Sequence, residues 1–386
     1  MGTAERVAVS NNPPMKSICL VGLDNYPVLN PAFSATYIGG ESVQQTLLAR
    51  AFAELGLQVS TVVKDYGQQD EEVIGAIHVL KTYRPGAGLP VLRFLHPRMS
   101  SVWRALGKAD ADVYYQSCAG ALTGIVAEFC RQRGKIFVFR IAHDSDCLPG
   151  QLLIQYWRDR KIYEYGLRHA HLIAAQGTRQ VDLLRDHYRL ESVPVNMAVE
   201  LPTGSDPVNR DIDVLWVNNL RPFKRPELAI ALARSLPNRR VVMIGGPAPG
   251  LEDYFERVRD EARQVANLEF RGALPYAQVN QEMLCAKVFV NTSESEGFPN
   301  SFLQAWVRKV PVVSYFDPDG LIRQHGLGGV PGTPDEMVRL VENLLTEDAL
   351  RRDVGSRAEA FVVARYAPAS VASRYLELLS GTGLQD

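Results

Sequence analysis

The sequence predicts an α/β protein made of two Rossmann-like, doubly wound domains that face one another across a cleft. Three observations predict it. Short apolar runs alternate with segments of helical periodicity along most of the chain, as parallel strands joined by crossover helices require. The alternation breaks at residues 193–213, where Pro194, Pro202, Gly204, Ser205 and Pro207 give a linker composition, and then restarts. A length of 386 residues suits two domains.

The elements follow in order. Residues 1–15 are expected to form a disordered lead, since the opening MGTAERVAVSNNPPMKS lacks the apolar middle of a secretory signal. The first domain spans residues 16–200 and opens on the strand SICLV, residues 17–21. Gly39-Gly40 then precedes a helix at residues 41–55, which Gly56 closes, and residues 58–63 form the next strand. Further strands are expected at residues 77–81, 113–115, 136–139 and 172–175. Helices fill between them, including residues 119–132 and 157–169.

The second domain spans residues 201–368 and repeats the scheme. Strands are expected at residues 214–217, 240–244, 268–271, 288–290 and 310–314, with helices at 226–235 and 251–266 and one opened by Asn300 or Ser301. The closing segment, residues 369–386, holds an amphipathic stretch at 369–379 long enough to pack back across the first domain. In such folds ligands bind between the carboxyl ends of the two sheets.

Composition narrows the function. The chain is 46% hydrophobic and 22% charged, which suits a soluble globular enzyme. A net charge of −1 gives a nucleic-acid partner no electrostatic support. The five cysteines are scattered, odd in number and never spaced CxxC, so neither a zinc site nor a disulfide framework is expected. They fit the reduced thiols of a cytoplasmic protein. No apolar run approaches the roughly 18 residues of a membrane span.

Chemistry concentrates in residues 288–314, VFVNTSESEGFPNSFLQAWVRKVPVVS. A helix that starts directly after a strand presents backbone N–H groups and a positive dipole end above the sheet. Glu296 in the preceding loop and Gln304 a turn into the helix are both able to bind sugar hydroxyls. Together these features describe a nucleotide-sugar pocket. The segment WVNNLRPFKRPE places Arg221, Lys224 and Arg225 at the carboxyl end of another strand. Two readings stand for these cations, a diphosphate clamp or a solvated basic turn.

Gly39-Gly40 allows close approach of the backbone to phosphate, or is a tight turn, and it lacks both GxGxxG spacing and a Walker lysine. Gly245-Gly246 reads as a turn. His143, in FRIAHDSD, lies just beyond a strand and is placed to orient or polarise a hydroxyl, while Asp144 and Asp146 read as loop caps. The basic residues Arg93, Arg98, Arg104 and Lys108 are read as a solvated face, with contact to anionic lipid or a lipid-diphosphate acceptor as the alternative.

From about Lys16 onward, these residues resemble the retaining glycosyltransferases of the GT-B fold, in particular the large family 4 of nucleotide-sugar transferases. The most specific element is similar to that family's Glu-x7-Glu motif, here running Glu296-Gly297-Phe298-Pro299-Asn300-Ser301-Phe302-Leu303-Gln304 and followed by Pro311-Val312-Val313. The resemblance implies that Glu296 meets the donor sugar and that backbone amides at the helix start meet the diphosphate. Gln304 stands where the family usually has a ribose-binding Glu, so it lacks that charge. Asn218-Asn219-Leu220-Arg221-Pro222-Phe223-Lys224 resembles the family's Gly-Arg-Leu-x3-Lys segment. Lys224 fits the diphosphate lysine, and Arg221 supplies a cation in place of the Arg that Asn219 replaces. Gly39-Gly40 resembles the glycine loop under the phosphates, His143 the histidine of the catalytic centre, and Arg271-Gly272-Ala273-Leu274 the loop that brackets the nucleobase.

What the resemblance implies is transfer of a sugar, with retention, from a nucleotide-diphosphate sugar to a hydroxyl of a glycan or glycolipid, as in building surface polysaccharide. No cofactor or metal is expected. The chain offers no clear nucleophile and acid pair of the glycosidase kind, so the expected mechanism is front-face, with His143, Glu296 and Lys224 at the reacting centre. The location implied is cytoplasmic, with a peripheral position at the inner membrane face left open, as is the oligomeric state. The alternatives are a non-hydrolysing sugar-nucleotide epimerase of the same fold, or an inactive sugar-nucleotide-binding protein. A dehydrogenase-like dinucleotide binder is disfavoured by the missing GxGxxG.

Overall fold

Strands covered by helices on both faces can be apolar throughout, and the runs read from the sequence form two such sheets. The computed structural model describes residues 15–33, 39–89, 92–202 and 209–381. The expected disordered lead up to residue 14, linker residues Gly204, Ser205 and Pro207, and residues 382–386 lie outside the described residues.

In the first domain, β1 (Ser17–Val21), β2 (Gln58–Val63), β3 (Glu71–Ile74), β4 (Ile77–Lys81), β5 (Val113–Ser117), β6 (Ile136–Arg140), β7 (Leu172–Ala175) and β8 (Val193–Pro194) form one sheet. Its order is β3-β4-β2-β1-β5-β6-β7-β8. All neighbours are parallel except β3 and β4, an edge hairpin. Ile18 of β1 sits between Val59 of β2 and Val113 of β5, which fixes the central register.

The second sheet contains β9 (Ile212–Val217), β10 (Val241–Ile244), β11 (Leu268–Phe270), β12 (Ala286–Asn291), β13 (Val312–Ser314) and β14 (Gly328–Gly329), in the order β11-β10-β9-β12-β13-β14. It is parallel throughout. In both sheets the order reverses beside the first strand, and such reversals open a crevice at the strands' carboxyl ends. These are two Rossmann-like domains facing across a cleft.

Several boundaries differ from expectation. Residues 193–213 are not all linker, because Val193–Pro194 adds an edge strand and Ile212 already belongs to β9. Val195, Met197, Ala198 and Val199 are buried, so this connection is anchored by its apolar side chains. The helix expected at 251–266 is shorter, Glu252–Ala262.

The last helix, Pro368–Gly381, lies against the helix Gly40–Glu54 of the first domain. It buries Val371, Ala372, Tyr375 and Leu379 in that domain's core. Arg140 at the end of β6 is buried and donates from Nη1 to the Tyr375 hydroxyl at 2.7 Å. No helix among the described residues is long and apolar enough to cross a membrane.

Candidate functional site

A cavity of about 790 Å³ lies between the domains, lined by the loops that leave β6, β7, β9, β10 and β12 and by the start of the Gly40–Glu54 helix. Strand ends converge there because both sheets are parallel, so every following loop starts on the cleft side.

The floor from the second domain is ionic. Beyond β9 the chain makes a single turn, Pro222–Lys224, which delivers the Lys224 ammonium to the carboxylate of Glu296. Their side chains are only 13% and 10% exposed. Burial pulls the Lys224 ammonium below its usual range, Glu296 opposes that pull, and nearby Arg221 adds to it. Glu296 is fixed from behind by Ser293, whose hydroxyl donates at 2.5 Å, and by the Asn291 side chain at 3.5 Å. Ser293 and Asn291 are buried and come straight off β12, so the strand itself aims the carboxylate.

Arg225, grouped with these cations in the sequence, has a different role. Its backbone is left-handed at φ 47, and its guanidinium donates to the Thr292 carbonyl at 2.8 Å and lies over the Tyr315 ring. It ties two loops together and is not among the cavity-lining residues.

The helix Asn300–Trp306 is held down by buried Phe302, Leu303 and Trp306. Its entry is already engaged across the cleft. The Phe298 N–H donates to Gln176 Oε1 at 2.6 Å, the Asn300 side-chain amide donates to the Gly40 carbonyl at 2.8 Å, and Gln44 donates to Asn300 Oδ1 at 2.8 Å. Gln304 donates to Asn280 Oδ1 at 2.9 Å, and both residues are buried.

From the first domain, His143 caps the turn Asp144–Cys147. Its Nδ1 accepts the Ser145 N–H at 3.1 Å. A neutral ring in that arrangement carries its proton on Nε2, a donor for an oxygen in the cavity. Asp146 accepts the Ala142 and His143 N–H groups, each at 3.1 Å, while Asp144 is bound by Arg179 and Gln180. Asp146 therefore caps its loop as expected, whereas Asp144 caps no backbone group among the described residues and is tied by its side-chain partners to the helix Thr178–Tyr188. The Phe223 ring stands edge-on to His143 with centroids 6.4 Å apart, linking the two walls.

The cavity brings together His143, Lys224, Glu296, Gly40, Asn219, Arg221, Leu274, Gly297, Phe298, Pro299, Asn300, Ser301 and Gln304. Two expected residues are elsewhere. Gly39 is the cap before the helix and does not line the cavity. Arg271 is drawn away by ion pairs to Glu269 and Glu282, leaving Leu274 of that loop at the cavity wall.

The sequence reading missed Glu41, Gln176 and Asn280. Glu41 lines the cavity one residue past the glycine pair and accepts a hydrogen bond from Ser117. Gln45 donates to Ser117 at 2.7 Å, and Asn25 donates to Gln45 at 3.0 Å, so a directed relay holds the carboxyl. Burial pushes Glu41 up to about 7, against the pull of the Arg140 guanidinium. A carboxylate in a helix's first turn could have been flagged from sequence. Nothing local marks Gln176 or Asn280.

Comparison with known proteins adds the following. A family profile described as glycosyl transferases group 1 matches residues 203–361, and one described as glycosyl transferase 4-like domain matches residues 39–198. Glycosyltransferase 1 domain-containing protein 1 of Xenopus tropicalis is 27% identical over 129 residues, which cover 33% of this chain. The match spans about a third of that relative's own length, 36%. Among solved structures, sucrose-phosphate synthase from Thermosynechococcus elongatus superposes with a TM-score of 0.76 at 15% identity, covering 94% of this chain and 98% of that one. Anabaena HepE, solved with UDP-glucose, gives 0.69 at 15% identity over 94% and 99%. The lipopolysaccharide-biosynthesis glycosyltransferase WaaG gives 0.64 at 14% identity over 94% and 100%. At such identities the shared property is the fold.

Proposed function

The chain belongs to the GT-B glycosyl transferases of group 1, and on that premise we propose that it moves a sugar from a nucleotide-diphosphate sugar to a hydroxyl of a glycan or glycolipid, with retention at the anomeric carbon. The buried Lys224–Glu296 pair, facing His143 of the other domain inside one cavity, carries this reading.

Lys224 and Glu296 neutralise one another until a stronger anion enters. A diphosphate competes for the ammonium, and Arg221 lines the same cavity. Once displaced, the Glu296 carboxylate is free to accept the hydroxyls of the sugar that arrives with the diphosphate. As the bond to the anomeric carbon breaks, charge grows on the diphosphate oxygen, where Lys224 and Arg221 stabilise it. Fixed charges in a site that excludes water are the larger part of such catalysis.

In the front-face course proposed here, that oxygen receives the acceptor's proton, and the acceptor oxygen bonds the anomeric carbon on the same face. His143 offers its Nε2 proton to a sugar hydroxyl and holds the reacting centre. Glu41, on the first-domain wall, is suited to receive the acceptor hydroxyl. Neutralisation by Lys224 and Arg221 is the basis for proposing that no metal is needed. UDP-glucose in HepE supports a nucleotide sugar as donor.

The test is to screen nucleotide sugars for thermal stabilisation, then supply acceptors and read the product's anomeric configuration by NMR. An inverted product overturns the retaining course. An isomerised donor formed without acceptor replaces transfer by epimerisation.

A further inference from the structure

We infer that the donor is a 2′-deoxyribonucleoside diphosphate sugar, selected at the buried pair Gln304 and Asn280. The inference rests on the nucleotide-sugar reading of the cavity and narrows its substrate. Sheet order says where the nucleoside lies. Strand β9 leads to Arg221 and Lys224 and its neighbour β12 to Glu296, so the diphosphate belongs above these two strands. The sugar end belongs beside His143, which meets Phe223 edge-on across the cleft. The remaining arm of the cavity runs over β10 and β11, lined by Ile244, Gly245, Gly246, Leu274 and Pro275.

No carboxylate serves that arm. Among the described residues the cavity is lined by two, Glu296 and Glu41. Glu296 is tied to Lys224, and Glu41 lies on the first-domain wall under Ser117. The polar group at the entrance of the arm is Gln304. Its helix, Asn300–Trp306, packs beside the helix Tyr276–Cys285 that follows β11. The two helices meet where Gln304 Nε2 donates to Asn280 Oδ1 at 2.9 Å. The two residues are only 8% and 6% exposed. Asn280 in turn acts on the Tyr276 hydroxyl, opposing the rise that burial gives that phenol, so the three side chains form one network. With its nitrogen committed, Gln304 has Oε1 as its one acceptor.

That count separates the two pentoses. Ribose brings a vicinal diol, two donors on adjacent carbons, which the paired oxygens of a carboxylate accept together. Gln304 matches the single ring hydroxyl of deoxyribose. A second hydroxyl pressed against this wall gives up water without gaining a matched partner, and an unmatched buried polar group is costly. The deoxy sugar brings a methylene to the same place, which an apolar wall receives without that cost.

The experiment is calorimetry on the full chain with matched pairs: UDP with dUDP, ADP with dADP, and GDP with dGDP. Members of a pair differ only by one hydroxyl, so the preference for a base cancels from their ratio. In the pairs that bind, the deoxy member is expected to bind about fivefold tighter or more, the scale of one unmet buried hydroxyl. Gln304→Glu supplies the second oxygen and should reverse the order by a similar factor, with a thermal melt to show that the variant is folded. Equal or tighter binding of the ribo member by the wild type overturns the inference, whether or not the variant folds. So does a deoxy preference that a folded Gln304→Glu protein retains in full. Binding in the wrong order sinks this inference alone. Absence of binding by every member removes the nucleotide reading of the cavity, and this inference with it.

Discussion

Gln176 of the first domain accepts the backbone N–H of Phe298 of the second at 2.6 Å, one residue beyond the glycine of the acidic loop. The same Gln176 donates to the Ala142 carbonyl at 3.2 Å, beside His143. One neutral side chain therefore sets the spacing between the loop that carries Glu296 and the loop that carries His143.

That spacing leaves no room at Gly297. A β-carbon there would come within 2.3 Å of Gln176 Oε1 and 2.7 Å of the Ala142 carbonyl oxygen. Gly297 has no left-handed φ, so the conflict is contact alone. Gly297→Ala should hold the domains apart and lower kcat by roughly 10²-fold, the scale of a 1 Å misplacement. Its melting temperature should stay close to wild type. Steady-state kinetics with a thermal melt would check this, and an unchanged kcat would contradict it.

Lys224→Ala should reduce turnover by ~10²-fold or more, the usual loss on removing one transition-state donor. Glu296→Ala should abolish transfer and keep nucleoside diphosphate binding, because the ammonium then lacks its internal competitor. Each truncation strands a charge with little solvent, so each should also lower the melting temperature. Calorimetry on folded variants is the check. Lost diphosphate binding in Glu296→Ala would remove that residue's assigned role.

Glu41 makes the protein sensitive to pH near neutrality. Burial raises its carboxyl from 4.5 to about 7, so across that window the folded state holds a proton that the unfolded state has released. This contribution to stability is complete below about 4.5 and is lost as pH rises through about 7. The groups acting on it are Arg140, Ser117, Asp146, Cys118 and Tyr115. Melting temperatures of wild type and Glu41→Gln should diverge with pH between those values and run parallel above. Curves parallel throughout would show that Glu41 titrates normally.

Chelation should leave transfer unchanged. The expectation follows from neutralisation of the leaving group by Lys224 and Arg221. Activity abolished by EDTA and restored by Mg²⁺ would reject it.

The strands and the ionic residues were readable because each announces itself locally. An apolar run such as that of β1 has few alternatives, and Lys224 and Glu296 sit at strand ends where a parallel sheet must direct them. Partnership was harder to read. Arg225 and Arg271 looked as available as Lys224, and only the fold shows them committed to Thr292, Glu269 and Glu282. Gln176 and Asn280 gain meaning solely from neighbours more than twenty residues away. The strand β3 was invisible because Glu71 and Glu72 give it no apolar run.

The helix Pro368–Gly381 has a consequence for synthesis. During translation the first domain leaves the ribosome long before Val371, Ala372 and Tyr375, yet its interior is finished by those side chains. Until they arrive, Arg140 lacks its phenol partner and Phe52 and Tyr115 lack the Tyr375 ring they pack against. Completion of the N-terminal unit is thus deferred until the second has been made, and cutting the polypeptide at the linker would yield a half that keeps a greasy scar.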